Sequence, residues 1–231
     1  MSDLAGPSRS GDVRRMFARI ANHYDLLNRL MTLGQDGAWR RQTIGHLNLQ
    51  PGQWLLDVGA GTGDLARQAL RQQPRCRVVA VDFTPEMLHV GRQKGDAPHI
   101  DWVVADAAHL PFRSGCFNAL VSGFLLRNVA DLRAALGEQT RVLEPEGAWA
   151  ALDTTRPQDN WLRPLINLHF GFVIPWLGRL IAGDAEAYTY LPDSTRRFLT
   201  AEDLAEHIKD AGIAIDGFTR RMAGTIAIHW G

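Results

Sequence analysis

The chain has 231 residues, and 25 lysines plus arginines balance 25 aspartates plus glutamates. That length suits one α/β domain with an appended cap, and a formal charge of zero gives no overall field to draw the protein onto nucleic acid. Only two cysteines are present, Cys76 and Cys116. Neither has metal-ligand spacing, which argues against a structural zinc or a disulfide scaffold.

In chain order, residues 1–12 are polar and rich in Gly, Pro and Ser, and read as a loose, disordered N-terminus without a secretory signal; the chain is expected in the cytoplasm. Asp12 is a candidate N-cap. From there Val13, Phe17, Ile20, Tyr24, Leu27, Leu30 and Met31 recur at helical spacing, continued by Trp39, Ile44 and Leu47, so 13–50 reads as a helical lid closed by Pro51-Gly52. Strands are then expected near 53–58, 77–82, 100–104, 117–123 and 147–153, with helices near 63–72, 84–94 and 131–142. This is the alternation of an open parallel sheet.

After Asp153 the rhythm breaks for a stretch too long for a plain loop, and 156–198 reads as a helical insertion capping the substrate. Its apolar part, 161–182, is interrupted by Arg163, Pro164, Pro175 and Arg179, which argues against a membrane span. Broken helices over a cavity or on a bilayer surface, and a homodimer contact, are both open readings. The Thr200-Ala201-Glu202-Asp203 sequence starts a final helix, stopped by Gly212. Two strand-like runs, 213–219 and 225–230, would form an edge hairpin.

The chemistry begins where the first strand runs into Asp57-Val58-Gly59-Ala60-Gly61-Thr62-Gly63. Three alternating glycines let backbone approach a ligand with no Cβ in the way. Dinucleotide folds space their glycines differently and place a pyrophosphate on the helix start. A preceding acid and this spacing suit a nucleoside with an amino-acid tail. Asp57 and the turn would receive the methionine end of S-adenosylmethionine, Asp82 the ribose hydroxyls, and Asp106 with the Ala107 backbone the adenine edge.

These residues resemble the UbiE/MenG family of ubiquinone and menaquinone biosynthesis C-methyltransferases, within the Rossmann-like S-adenosylmethionine-dependent methyltransferases. The likeness runs from Phe17-Ala18-Arg19-Ile20-Ala21 with Tyr24-Asp25 and Asn28, through Asp82-Phe83-Thr84-Pro85, Leu110-Pro111-Phe112 and Leu126-Arg127-Asn128-Val129, to Tyr188, Tyr190-Leu191-Pro192, Ser194 and Phe198. It implies a mostly parallel seven-stranded sheet with an antiparallel edge hairpin in a single domain over 13–231. Cofactor contacts would fall on Thr62, Asp82, Phe83, Asp106, Ala107 and Gly123, and substrate contacts on Tyr188, Tyr190 and Ser194.

The implied reaction is methylation of a demethylated quinol carrying a prenyl tail, with peripheral membrane contact as one expectation. Arg127 would stabilise the phenolate and Asn128 would position the ring oxygen; His23, Tyr24 and Asp153 are candidate bases. The sequence departs from the family pattern at several places. Leu125 stands for a glycine, Gly123 for a serine, Asn118 for an aspartate, and Glu144-Pro145-Glu146-Gly147 for K-P-G-G; Asp153-Thr154-Thr155 alters the end of the fifth strand. Methylation of another lipophilic molecule and a non-methylating scaffold are the alternatives.

Overall fold

The computed structural model describes residues 7–95, 99–156 and 194–231. Three helices lead: α1 (Pro7–Ile20), α2 (Tyr24–Met31) and α3 (Asp36–His46). Next come β1 (Trp54–Val58), α4 (Asp64–Gln72), β2 (Arg77–Asp82), α5 (Pro85–Gln93), β3 (Ile100–Val104), β4 (Phe117–Gly123), α6 (Leu132–Val142) and β5 (Leu143–Thr154). The described chain closes with α7 (Ala201–Asp210), β6 (Gly217–Arg221) and β7 (Ile226–Trp230).

The strands form one seven-stranded sheet in the order β3-β2-β1-β4-β5-β7-β6. The pairings of β1, β2, β3, β4 and β5 with one another are parallel, and β7 runs antiparallel to both β5 and β6. The expected architecture is therefore the observed one. Reversal at β2 and β4 on either side of β1 creates the crevice at the carboxyl ends where open α/β sheets bind ligands.

The central strands are apolar along their length because both faces are covered. On one face Leu56, Val58, Leu120 and Trp149 pack with Leu136 and Leu204, and on the other Leu55, Val78 and Val121 pack with Ile44, Leu65 and Ala66. Trp149 is fully buried, and its indole N–H donates to Gln139 Oε1 at 2.9 Å, so the ring enters the core without an unpaired donor.

Three boundaries differ from the sequence reading. The first helix begins at Pro7, so Asp12 lies inside it and pairs with Arg15 rather than capping it. The 13–50 lid divides: α3 buries Trp39 and Ile44 against the sheet layers and belongs to the core, which leaves α1 and α2 over the crevice. Strand β5 also starts at Leu143 instead of 147, with an irregular register before Ala148. The 156–198 insertion, with Tyr188 and Tyr190, lies outside the described residues except at its ends.

Two departures from the family pattern account for each other. Asn118 accepts the Trp54 N–H at 2.8 Å and its amide donates to Glu144 Oε2 at 2.7 Å. An amide facing a carboxylate keeps a polar pair at the amino-terminal edge of the sheet, away from the crevice. Glu146, in contrast, adopts φ 63°, a left-handed conformation at a position where the family pattern has glycine. We expect Glu146→Gly to raise stability by about 0.5–1 kcal/mol, because the strain on a Cβ there exceeds glycine's entropy cost; urea unfolding of the two proteins measures it.

Candidate active site

The turn after β1 is shaped by its glycines. Gly59, Gly61 and Gly63 have φ of 70°, 57° and 82°. A Cβ at Gly59 would lie 2.7 Å from Leu125 Cδ1, and one at Gly63 would fall on the Trp102 ring. Side chains are thus excluded by backbone conformation and by packing together.

One carboxylate pins this turn and a second holds the helix that follows it. Asp57 is 1 % exposed, and its Oδ2 accepts the Ala66 N–H at 2.9 Å, in the first turns of α4. Its Oδ1 is buried without a hydrogen-bond partner among the described residues. Burial pushes the Asp57 carboxyl up to about 7, against the pull of the Ala66 bond and with a further push from Asp82. Asp82, at the end of β2, accepts Gly61 N–H on Oδ2 and Thr84 N–H on Oδ1, both at 2.8 Å. Burial raises its carboxyl as well, opposed by those backbone donors.

A cavity of about 440 Å³ opens over this turn, within the range of small-molecule sites. Its lining runs from Asp82, Phe83, Asp106 and Ala107 past Gly59 and Gly61 to Gly123, Phe124, Leu125 and Asn128, and Val13, Arg14, Phe17 and Tyr24 from the leading helices complete it. Asp106 is exposed and turns its Oδ1 onto the Ala108 N–H at 2.9 Å, while Ala107 is buried. Arg14 stacks over Phe83 with its guanidinium 5.4 Å from the ring centroid. At Gly123 a Cβ would approach Leu65 Cδ1 to 2.7 Å, so the serine of the family pattern would require Leu65 to move.

The structure therefore brings together Gly59, Gly61, Asp82, Phe83, Asp106, Ala107, Gly123, Asn128 and Tyr24. Other expected residues are placed elsewhere. Asp57 does not line this cavity but borders a small adjoining pocket with Thr62, Gly59 and Gly61. The buried Thr62 hydroxyl donates to Asp25 Oδ1 at 2.6 Å and accepts from Lys94 Nζ at 2.9 Å, which commits it to protein partners.

Arg127 is absent from the cavity lining among the described residues: its guanidinium pairs with Asp153 at 2.6 Å, both side chains being almost fully buried. Asp153 also accepts the Leu126 N–H at 2.8 Å, so neither residue stands as a free acid or base against the cavity. His23 is exposed at the start of α2, outside the lining. Tyr24 does face the cavity, but burial raises its phenol above the ordinary value, with Asn28, Arg127 and Arg40 pulling the other way. Ser194 is buried in a helical turn at the edge of the described chain.

Sequence reasoning missed Val13, Arg14, Phe17 and Met87 as lining residues. The helical apolar spacing of Val13 and Phe17 was visible, but spacing alone does not separate a stripe that faces core from one that faces a ligand.

The acid-tipped second strand, the side-chain-free turn and the enclosed cavity fit a nucleoside carrying an amino-acid tail. Fold and site together define a Rossmann-like S-adenosylmethionine-dependent methyltransferase. The chain belongs to the ubiE/COQ5 methyltransferase family, whose profile matches residues 6–231. It is 42% identical to the ubiquinone/menaquinone biosynthesis C-methyltransferase UbiE of Desulfotalea psychrophila, over 97% of this chain and 91% of that one. It is 38% identical to the demethylmenaquinone methyltransferase of Roseiflexus castenholzii, over 95% of this chain and 92% of the relative. Among solved structures, a methyltransferase from Aquifex aeolicus superposes with a TM-score of 0.63 at 14% identity, covering 89% of this chain and 96% of its own.

The Asp57 environment has a measurable pH signature. Its carboxyl titrates near 3.8 when unperturbed and about 7 in the fold, so the folded state retains a proton between those values that the unfolded state has lost. Stability from this group is present at low pH and declines as pH rises from about 4 to 7. Asp57→Asn, which keeps an oxygen for Ala66, should remove that decline. Urea midpoints at pH 5 and pH 8 compare the two proteins.

Proposed function

We propose that this protein methylates a ring carbon of a demethylated, prenylated quinol of the ubiquinone or menaquinone type. The observation that carries the reading is the continuity of the cavity. Asp82 and Asp106, suited to a nucleoside, share it with Phe17, Tyr24, Phe124, Leu125 and Asn128, suited to an apolar ring with polar edges. Relatives whose names carry that activity match this chain over nearly their whole length.

When bound, S-adenosylmethionine supplies an activated methyl on a sulfonium. Asp82 holds the ribose hydroxyls with its remaining lone pairs, and Asp106 with Ala107 borders the adenine. Enclosure by Phe17 and Tyr24 excludes water and aligns the acceptor carbon, an effect worth up to about 7–11 kcal/mol of barrier in favourable systems.

The Tyr24 phenol and the Asn128 amide border the acceptor half. Phe124 O already accepts from the Asn128 amide at 2.7 Å, which fixes that side chain's orientation. Arg127 is a fixed cation behind this wall. Its charge, with that of Arg40, already favours the ionised form of Tyr24, and a phenolate formed beside Tyr24 would be stabilised in the same sense. This replaces direct contact by Arg127 with stabilisation from the second rank.

A prenyl tail would bring the acceptor from a bilayer. Leu26 and Leu30, one turn apart on α2, are 51% and 37% exposed, and Leu33 just beyond the helix is 70% exposed; these apolar groups support peripheral membrane contact there. Among the described residues no helix is long and apolar enough to cross a membrane. A second reading, methylation of another lipophilic molecule, draws on Leu125, which packs against Gly59 where the family pattern leaves open space.

Incubation with methyl-labelled cofactor and demethylmenaquinol should place label in the quinol ring. No label there, with uptake into another extract component, would favour the second reading. Asp82→Ala should weaken S-adenosylmethionine binding about 10- to 100-fold by calorimetry, the value of one charge-assisted hydrogen-bond set. Unchanged affinity would remove the ribose assignment.

A further inference from the structure

Thr62 sits in the glycine turn, yet its hydroxyl is spent on residues remote in sequence. It donates to Asp25 Oδ1 at 2.6 Å and accepts from Lys94 Nζ at 2.9 Å. Lys94, which caps the end of α5, also pairs with Asp25 and lies 3.2 Å from Asp64 Oδ1. Asp64 is held in turn by Arg40 at 3.1 Å and by Arg67 at 3.1 Å. Burial works to raise the Asp64 carboxyl, but Arg40, Lys94 and Arg67 overcome it and hold it down at about 2. The charge on Asp64 is therefore permanent near neutrality, and it anchors Lys94 where Lys94 can hold Asp25.

Asp25 directly follows Tyr24 at the start of α2. Tyr24 Cε1 lies 3.8 Å from where a Cβ on Gly61 would be, so the ring rests on the turn itself. Phe17 meets Tyr24 edge to face at 5.9 Å. A link at Asp25 thus fixes the two aromatic rings of the cavity roof.

We propose that Asp25 and Lys94 are positioning residues of the methyl transfer: with Thr62 they pin the leading helices onto the glycine turn and so set Tyr24 against the reacting end of the cavity. The pin spends on closure the hydroxyl that the family resemblance assigns to the cofactor. Asp25 and Lys94 do not line the cavity and act through Tyr24. This inference rests on the role given to Tyr24 under Proposed function.

The test uses the full chain with Asp25→Ala, Asp25→Asn, Lys94→Met, Tyr24→Phe and the double variant Tyr24→Phe/Asp25→Ala. Asp25→Asn keeps an oxygen for the Thr62 hydroxyl while losing the charge that Lys94 holds, and it serves if Asp25→Ala fails to fold. Trypsin should cleave the 14–29 region at least tenfold faster in Asp25→Ala and Lys94→Met while the urea midpoint stays near that of the parent. Raising salt to 1 M should speed cleavage of the parent and leave Asp25→Ala little changed, because screening removes only an ion pair that is present.

In turnover, kcat should fall at least tenfold in Asp25→Ala, and adding Tyr24→Phe should cost less than the product of the two single losses. Unaltered proteolysis, or fully multiplicative losses in kcat, would overturn the proposal. If demethylmenaquinol is not the acceptor, no variant turns it over, yet the proteolysis and salt arms still read the pin. Failure of the functional reading and failure of the pin are thus distinguishable.

Discussion

The site depends on a backbone turn held in a left-handed conformation by acceptors that are themselves buried. Gly61 can present its backbone to a ligand because its N–H is tied to Asp82, which also ties Thr84 at the start of α5. Asp57 does the same for α4 through Ala66. Each strand end is thereby joined to the helix that follows it, and the two helices keep the crevice open between them. Both carboxylates bear a desolvation cost, offset in part by the backbone donors they hold.

Around this turn the protein distributes charge in two enclosed groups. On one side Asp64 gathers Arg40, Arg67 and Lys94, and on the other Arg127 meets Asp153. Neither group opens directly onto the cavity, whose wall is apolar with a few polar edges. A sulfonium and an aromatic acceptor suit such a wall, since fixed charges in the second rank act through a low dielectric without competing for contact.

Most of this architecture was legible in the sequence. The β1, β2 and β4 strands announced themselves by short apolar runs leading into Asp or Gly, and the D-x-G-x-G-x-G spacing located the turn to the residue. What spacing could not supply was direction. Thr62 lies in the turn, but whether its hydroxyl faces ligand or helix depends on Asp25 and Lys94, which are distant in the chain. Arg127 and Asp153 were both legible as candidate chemistry, and only their pairing shows that each neutralises the other. Asn118 and Glu144 likewise looked like separate losses until they proved to be partners. His23 shows the same gap, since standing beside Tyr24 in the chain does not bring it into the lining that Tyr24 joins.

The order of the sheet bears on how the molecule is made. Strand β5, which delivers Asp153 to Arg127, is completed on its far side by β7, and Thr154 faces Ile226 across 72 positions of chain. Until that pairing forms, β5 is an unprotected edge of apolar sequence, Ala148-Trp149-Ala150-Ala151-Leu152. Closing so distant a contact is slow, and an open edge of this composition invites pairing with other chains in the interval. The expected hazard during synthesis is therefore aggregation through β5, with cool growth and slow expression favouring the folded enzyme.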